Sequence, residues 1–103
     1  MNQIEEVTPQ QVEEMIEENK DVTLIDVRED EEVAQGMIPT AKHIPLGNVP
    51  ENVDQLPKDQ EYVMICRSGR RSMKAAEYMK DQGFSKVKNM EGGMLEWDGE
   101  LVF

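Results

Sequence analysis

Cysteine and histidine are nearly absent: the 103-residue chain has one of each, Cys66 and His43. One thiol excludes an internal disulfide and a multi-cysteine zinc site. A Cys–His catalytic pair would need the fold to bring His43 to Cys66, and no motif places it there. His43 is read instead as a polar residue on a loop or strand edge. Long apolar runs are also missing. The longest, Tyr62 to Cys66, is far too short to span a membrane. The first residues show no basic region followed by an apolar stretch, so no secretory signal is read and a cytoplasmic, reducing location is expected. Basic charge is scarce: the net formal charge is −11, which argues against nucleic acid and anionic membrane surfaces as partners. No Gly-Lys-Ser/Thr phosphate loop follows Gly36, and the acidic run from Asp26 to Glu32 lacks the alternation and glycine of a calcium loop. Neither a metal nor a cofactor is expected.

What is present is a soluble, globular composition, 38% apolar and 32% charged. Its length suits a single domain over residues 1–103. The charge is uneven. Residues 1–61 carry 16 acids and 4 bases, whereas residues 62–103 carry 6 acids and 7 bases. The acidic half is read as a solvated surface.

Thr8 as cap, Pro9 in the first turn and Gln11 as capping-box partner predict a helix with Val12, Met15 and Ile16 on one face. Val22 to Asp26 reads as a buried strand. Glu29 to Ala34 is a short acidic helix or turn ended by Gly36. Ala41 to Ile44 is an extended piece, and Leu46 to Leu56 a loop with about one helical turn. Tyr62 to Cys66 is the central strand. Arg70 to Gln82 is a helix with Ala75, Ala76 and Met79 inward, and Gly83 stops it. A short strand, Ser85 to Met90, precedes the tight turn Glu91-Gly92-Gly93, and Met94 to Trp97 makes a last helical turn. Trp97 and the eight methionines are read as core filling. Alternation of strands and helices predicts an α/β fold, a parallel sheet of about five strands with helices on both faces.

The sequence concentrates its chemistry after the central strand, in Cys66-Arg67-Ser68-Gly69-Arg70-Arg71-Ser72. Three of the four arginines fall within five residues of the thiol. Cations at a helix N-terminus oppose the helix dipole, so this arrangement is unfavourable unless an anion sits there. A turn over Arg67 to Arg71 aims backbone N–H groups at one point, and Gly69 permits the positive φ the turn needs. Such a nest lowers a thiol's pKa and suits a thiolate, or a thiolate carrying one more sulfur. It makes the nucleophile without a base.

The four segments Leu24-Ile25-Asp26-Val27-Arg28-Glu29, Gly36-Met37-Ile38-Pro39-Thr40-Ala41 with Ile44-Pro45, Cys66 to Ser72, and Glu91-Gly92-Gly93-Met94 with Trp97 together resemble the signatures of the rhodanese family. The resemblance covers nearly the whole chain. It implies a thiosulfate-type sulfurtransferase with ping-pong chemistry: Cys66 takes a sulfane sulfur from a small anionic donor and passes it, as a persulfide, to a thiol or protein acceptor. It implies that Arg67 and Arg71 hold the donor's oxygens, that Ser68, Gly69 and Arg70 give backbone donors, and that Asp26 and Arg28 are structural. Met37 and Thr40 stand where the second signature has histidine and glycine. Nothing in the sequence demands an oligomer, and a monomer is expected. Two alternatives stay open. A phosphatase or arsenate reductase on the same fold would have five residues between cysteine and arginine; here Cys66 and Arg71 have four. A non-catalytic binding or sensing module is the other, although such modules often lack the cysteine that this chain keeps.

Overall fold

The computed structural model describes residues 3–103. Five parallel strands form one sheet: β1 (Glu5–Val7), β2 (Val22–Asp26), β3 (Lys42–His43), β4 (Glu61–Ile65) and β5 (Val87–Met90), in the order β1-β5-β4-β2-β3. Four helices accompany them: α1 (Pro9–Glu17), α2 (Asp30–Val33), α3 (Val49–Asn52) and α4 (Arg70–Asp81). The α/β class and the five-stranded sheet expected from the sequence are what the chain adopts.

The period-2 alternation of strands divides the core into two layers. Tyr62, Met64 and Cys66 face one side, packing with Ala75, Ala76 and Met79 of α4 and with Val49 and Val53. Val63 and Ile65 face the other, with Val12 and Met15 of α1, Leu24 and Ile38. Residues 62–66 of the central segment are each 0–1% exposed, which is why they read as one unbroken apolar run. Fully burying each large apolar side chain contributes roughly 1.5–3 kcal/mol.

The first helix forms as its caps predict. Thr8 accepts from the Gln11 N–H at 3.1 Å, and the Gln11 side chain accepts from the Thr8 N–H at 2.8 Å. Two stretches depart from expectation. Leu46–Gln55 is helical almost throughout, as a 3-10 turn, α3 and a second 3-10 turn (Val53–Gln55). Val49 and Val53 anchor it to the core, so packing rather than local pattern sets the conformation. Strand β1 was not anticipated at Glu5–Val7. Of its three residues only Val7 is buried, leaving no alternation to read, and it exists by pairing with β5. Thr40 has φ +73°, a left-handed conformation that favours glycine. That explains the glycine at this place in the signature it resembles. Among the described residues, no helix is long and apolar enough to cross a membrane.

Candidate active site

Sheet order puts β4 at the centre, where the connections switch from one side of the sheet to the other. Ligands of such sheets bind at the carboxyl ends of the strands near that point. Cys66 is the first residue beyond β4 and continues its alternation, so the side chain turns toward α4.

The loop then closes around the sulfur. Sγ of Cys66 accepts the Gly69 N–H at 3.1 Å and the Ser72 hydroxyl at 3.3 Å. Gly69 reaches this position with φ +96°. A Cβ there would also press on the Gly92 backbone nitrogen at 3.3 Å. The carbonyls on the outer side of the turn are held by the segment after β5. The Met94 N–H donates to Cys66 O at 2.9 Å, and the Leu95 N–H to Arg67 O at 3.0 Å. With those carbonyls fixed outward, the loop's N–H groups are left to face the thiol. Gly93 permits the approach, since a Cβ on it would lie 2.5 Å from both carbonyl oxygens.

Burial pushes the Cys66 thiol up, but the Ser72 hydroxyl and the backbone N–H groups of Ser72, Gly69 and Ser68 outweigh it, and the pKa falls below its ordinary value. The sequence-based expectation gave the arginines a share in this. In the structure the largest stabilising contacts are hydrogen bonds, and the charge of Arg71 interacts favourably with the ionised Cys66 as well.

Arg67, Ser68 and Arg70 are exposed around the loop. Among the described residues Arg67 and Arg70 have no ion-pair partner. Arg71 differs. Its Nη1 and Nη2 donate to Oε1 and Oε2 of Glu32 at 2.7 and 2.8 Å. This bidentate pair lowers the Glu32 carboxyl to about 2 and raises Arg71. The guanidinium read as a donor ligand is therefore already engaged by a carboxylate that the sequence did not single out.

Arg28 and Asp26 form a buried pair, with Nη2 to Oδ2 at 2.8 Å and Nε to Oδ1 at 3.0 Å. Arg28 also donates to Gly36 O at 2.9 Å and Glu32 O at 3.3 Å, tying β2 to α2. His43 sits in β3 with Nε2 2.7 Å from Arg28 O. That carbonyl requires a donor, so Nε2 carries the proton.

Glu32, Ser72 and Asn89 were missed as site residues. Asn89 faces α4 because parallel pairing sets it beside Met64. Its Nδ2 donates to Gly69 O and Glu6 Oε2, each at 3.1 Å. Those two acceptors fix the amide so that Oδ1 meets the Ser72 hydroxyl at 2.5 Å. Ser72 has one proton for two acceptors, Asn89 Oδ1 and Cys66 Sγ. The readable signal was a polar residue, Asn89, in the middle of an apolar strand. A shallow depression of about 300 Å³ beside the loop is lined by Arg28, Glu32, Gln35, Arg67, Met94 and Leu95. A larger one, about 770 Å³, lies at the amino ends of the strands among Glu5, Glu61 and Val87, the first residues of their strands, away from Cys66.

Residues 8–100 match the family model of the rhodanese-like domain. A Bacillus subtilis protein named "Putative sulfurtransferase YtwF" is 54% identical over 98 residues, covering 95% of this chain and 94% of its own. A protein of Allochromatium vinosum named sulfurtransferase is 37% identical over 94 residues, 91% of this chain and 88% of its own. The crystal structure of a rhodanese-like domain protein from Staphylococcus aureus superimposes with a TM-score of 0.90 at 38% identity, covering 97% of this chain and 98% of that one. The chain belongs to the rhodanese-like family. Its class is that of the rhodanese-type sulfurtransferases.

Proposed function

We propose that Cys66 is the nucleophile of a sulfane-sulfur transfer that runs through a persulfide. In the first half-reaction the Cys66 thiolate attacks the outer sulfur of a small anionic donor of the thiosulfate kind. A bond forms between Sγ and that sulfur, the donor's S–S bond breaks, and sulfite leaves with the electron pair. In the second, a thiol or protein acceptor attacks the outer sulfur of the persulfide. The S–S bond to Cys66 breaks and the thiolate returns. No proton has to leave the nucleophile during either attack, which fits a site whose only histidine is bonded to Arg28 O.

The observation that carries this reading is the thiol's setting. Cys66 is fully buried at the carboxyl end of the central strand, yet its sulfur accepts both a backbone N–H and a hydroxyl. A core cysteine has no use for donors that favour its charged form. The names of the relatives support sulfur as the cargo. Gly69 contributes its N–H directly, Ser68 supports the thiolate from the backbone, and Arg67, which lines the depression beside the loop, supplies unpaired positive charge there, while Arg70 is exposed at the start of α4.

Intact mass of the reduced protein after incubation with thiosulfate, beside Cys66→Ser, tests the proposal. The expected result is a gain of one sulfur atom, absent in the variant and removed by cyanide. A folded protein that gains no sulfur from thiosulfate, polysulfide or mercaptopyruvate would refute it and favour a binding module.

A further inference from the structure

The cations near Cys66 are not equally available to a donor. Arg71 gives one N–H from each Nη to Glu32, whose carboxylate balances its charge. Arg28 is closed off by Asp26 and by the carbonyls of Gly36 and Glu32. The depression beside the loop is lined by Arg28, Glu32 and Arg67, and its remaining wall is Gln35, Met94 and Leu95. Counting these residues with their ion-pair partners, two arginines face two carboxylates and Arg67 alone remains. Within the depression, which Arg70 does not line, the spare charge is a single positive one. Leu95 is 59% exposed, a large apolar side chain left in water beside the thiol loop.

A compact dianion would meet one unopposed cation there and the carboxylate of Glu32. A monoanion with a carbon body would pair with Arg67 and cover Met94 and Leu95. Resting on the reading of the protein as a persulfide carrier, we infer that the preferred donor is a monoanionic organic sulfane-sulfur compound, R–X–S⁻, and that Glu32 is a specificity-determining residue that disfavours dianions. The step balances as before. Cys66 Sγ bonds the terminal sulfur, the X–S bond breaks, and R–X⁻ leaves with the electron pair. An organic thiosulfonate (X is SO₂) releases a sulfinate, and an ionised organic persulfide (X is S) releases a thiolate.

Methanethiosulfonate and thiosulfate make a matched pair, because a methyl group replaces one oxyanion and one negative charge disappears. With cyanide as common acceptor, kcat/KM for each donor is measured on the wild type, Glu32→Gln and Glu31→Gln. Gln at 32 can still accept from the Glu29 N–H through Oε1 as Glu32 does, so the cap of α2 is kept. Glu31 is exposed on the same helix and makes no pair with Arg71. The wild type is expected to favour methanethiosulfonate by about tenfold. Glu32→Gln is expected to move the ratio about fivefold toward thiosulfate, through the thiosulfate KM, with Glu31→Gln within about twofold of wild type. A wild-type preference for thiosulfate would overturn the inference. So would a Glu32→Gln that slows both donors equally, since that is what a purely structural residue would do. Failure of the folded wild type to turn over either donor would overturn the transfer reading itself.

Discussion

A fully buried thiol is normally pushed toward its neutral form, because burial removes the water that would solvate the charge. Cys66 goes the other way through hydrogen bonds whose cost was met when the loop folded. The Ser72 hydroxyl is the side-chain donor among them, and it stands between Sγ at 3.3 Å and Asn89 Oδ1 at 2.5 Å. Removing it has two separable effects. Ser72→Ala withdraws a donor from the thiolate, so the midpoint of Cys66 alkylation against pH is expected to rise. It also leaves Asn89 Oδ1 without its donor in a buried site, costing about 1–3 kcal/mol in a denaturant melt. The sign of the linked stability follows. The folded thiol ionises below the unfolded one, so its contribution is complete above the ordinary value of 9.0 and lost as pH falls through Cys66's own midpoint. The variant should therefore gain less stability than the wild type on going from neutral pH to pH about 9. An unmoved alkylation midpoint would assign the depression to the backbone N–H groups alone. The sequence displays the part of the site that is contiguous, Cys66 to Ser72. It hides Glu32 and Asn89, which lie 39 residues from Arg71 and 17 from Ser72, because only the packing of α2 and β5 against the loop brings them in.

At the scale of elements, the site is a loop clamped between two supports, α2 through Glu32 and Arg28, and the turn after β5. The second support depends on backbone approaching backbone. Gly93 has φ +59°, and a Cβ there would sit 2.5 Å from the oxygens of Cys66 and Arg67. Neither atom is the flexible end of a side chain, so the turn or the loop must move. Gly93→Ala is expected to destabilise by about 2–4 kcal/mol and to raise the Cys66 alkylation midpoint, because displaced carbonyls let the loop N–H groups turn away from sulfur. Gly47→Ala, where nothing lies within 4 Å, is the control and should change neither reading. If Gly93→Ala melts like Gly47→Ala, the turn is not a support. The helices with caps and spacing, α1 and α4, were readable because their signals are local. The short acidic stretch from Glu29 to Ala34 was readable as a helix or turn ended by Gly36, and the structure makes it helical over Asp30–Val33. Strand β1 and the helical run at Leu46–Gln55 were not, since each takes its form from what it touches: β5 for the first, the core around Val49 and Val53 for the second.

Across the whole molecule, the position of the Cys66 thiol follows from sheet order. Strand β4 has a neighbour on each side, β2 along five register pairs and β5 along three. Both of its faces are covered, one layer by α1 and the other by α3 and α4. Strand β1 contributes three residues and pairs only with β5, and β3 contributes two and pairs only with β2. Parity of the strands carries the effect through to the site: the alternation that buries Tyr62 and Met64 also delivers Cys66 to the α4 side, and pairing with Met64 delivers Asn89. That much of the plan was visible in the sequence, because an unbroken apolar run flanked by polar loops marks a central strand and a thiol at its end marks the carboxyl edge. The order of the outer strands was not, because Glu5–Val7 and Lys42–His43 are too short and polar to announce their partners. Native-state amide exchange should show the consequence. Opening free energies across a fold range from near zero at its edges to the global value in its core strands. Amides of Val63, Met64 and Ile65 are expected to exchange only through global unfolding, with a protection that rises as the whole protein is stabilised. Amides of β1 and β3 should exchange orders of magnitude faster through local opening. Those of Gly69 and Met94 should follow β4, because a nest that holds an anion without reorganising must be as rigid as the strand that carries the thiol. Exchange at Gly69 as fast as in β3 would mean that the cradle forms only when a charged sulfur is there to organise it.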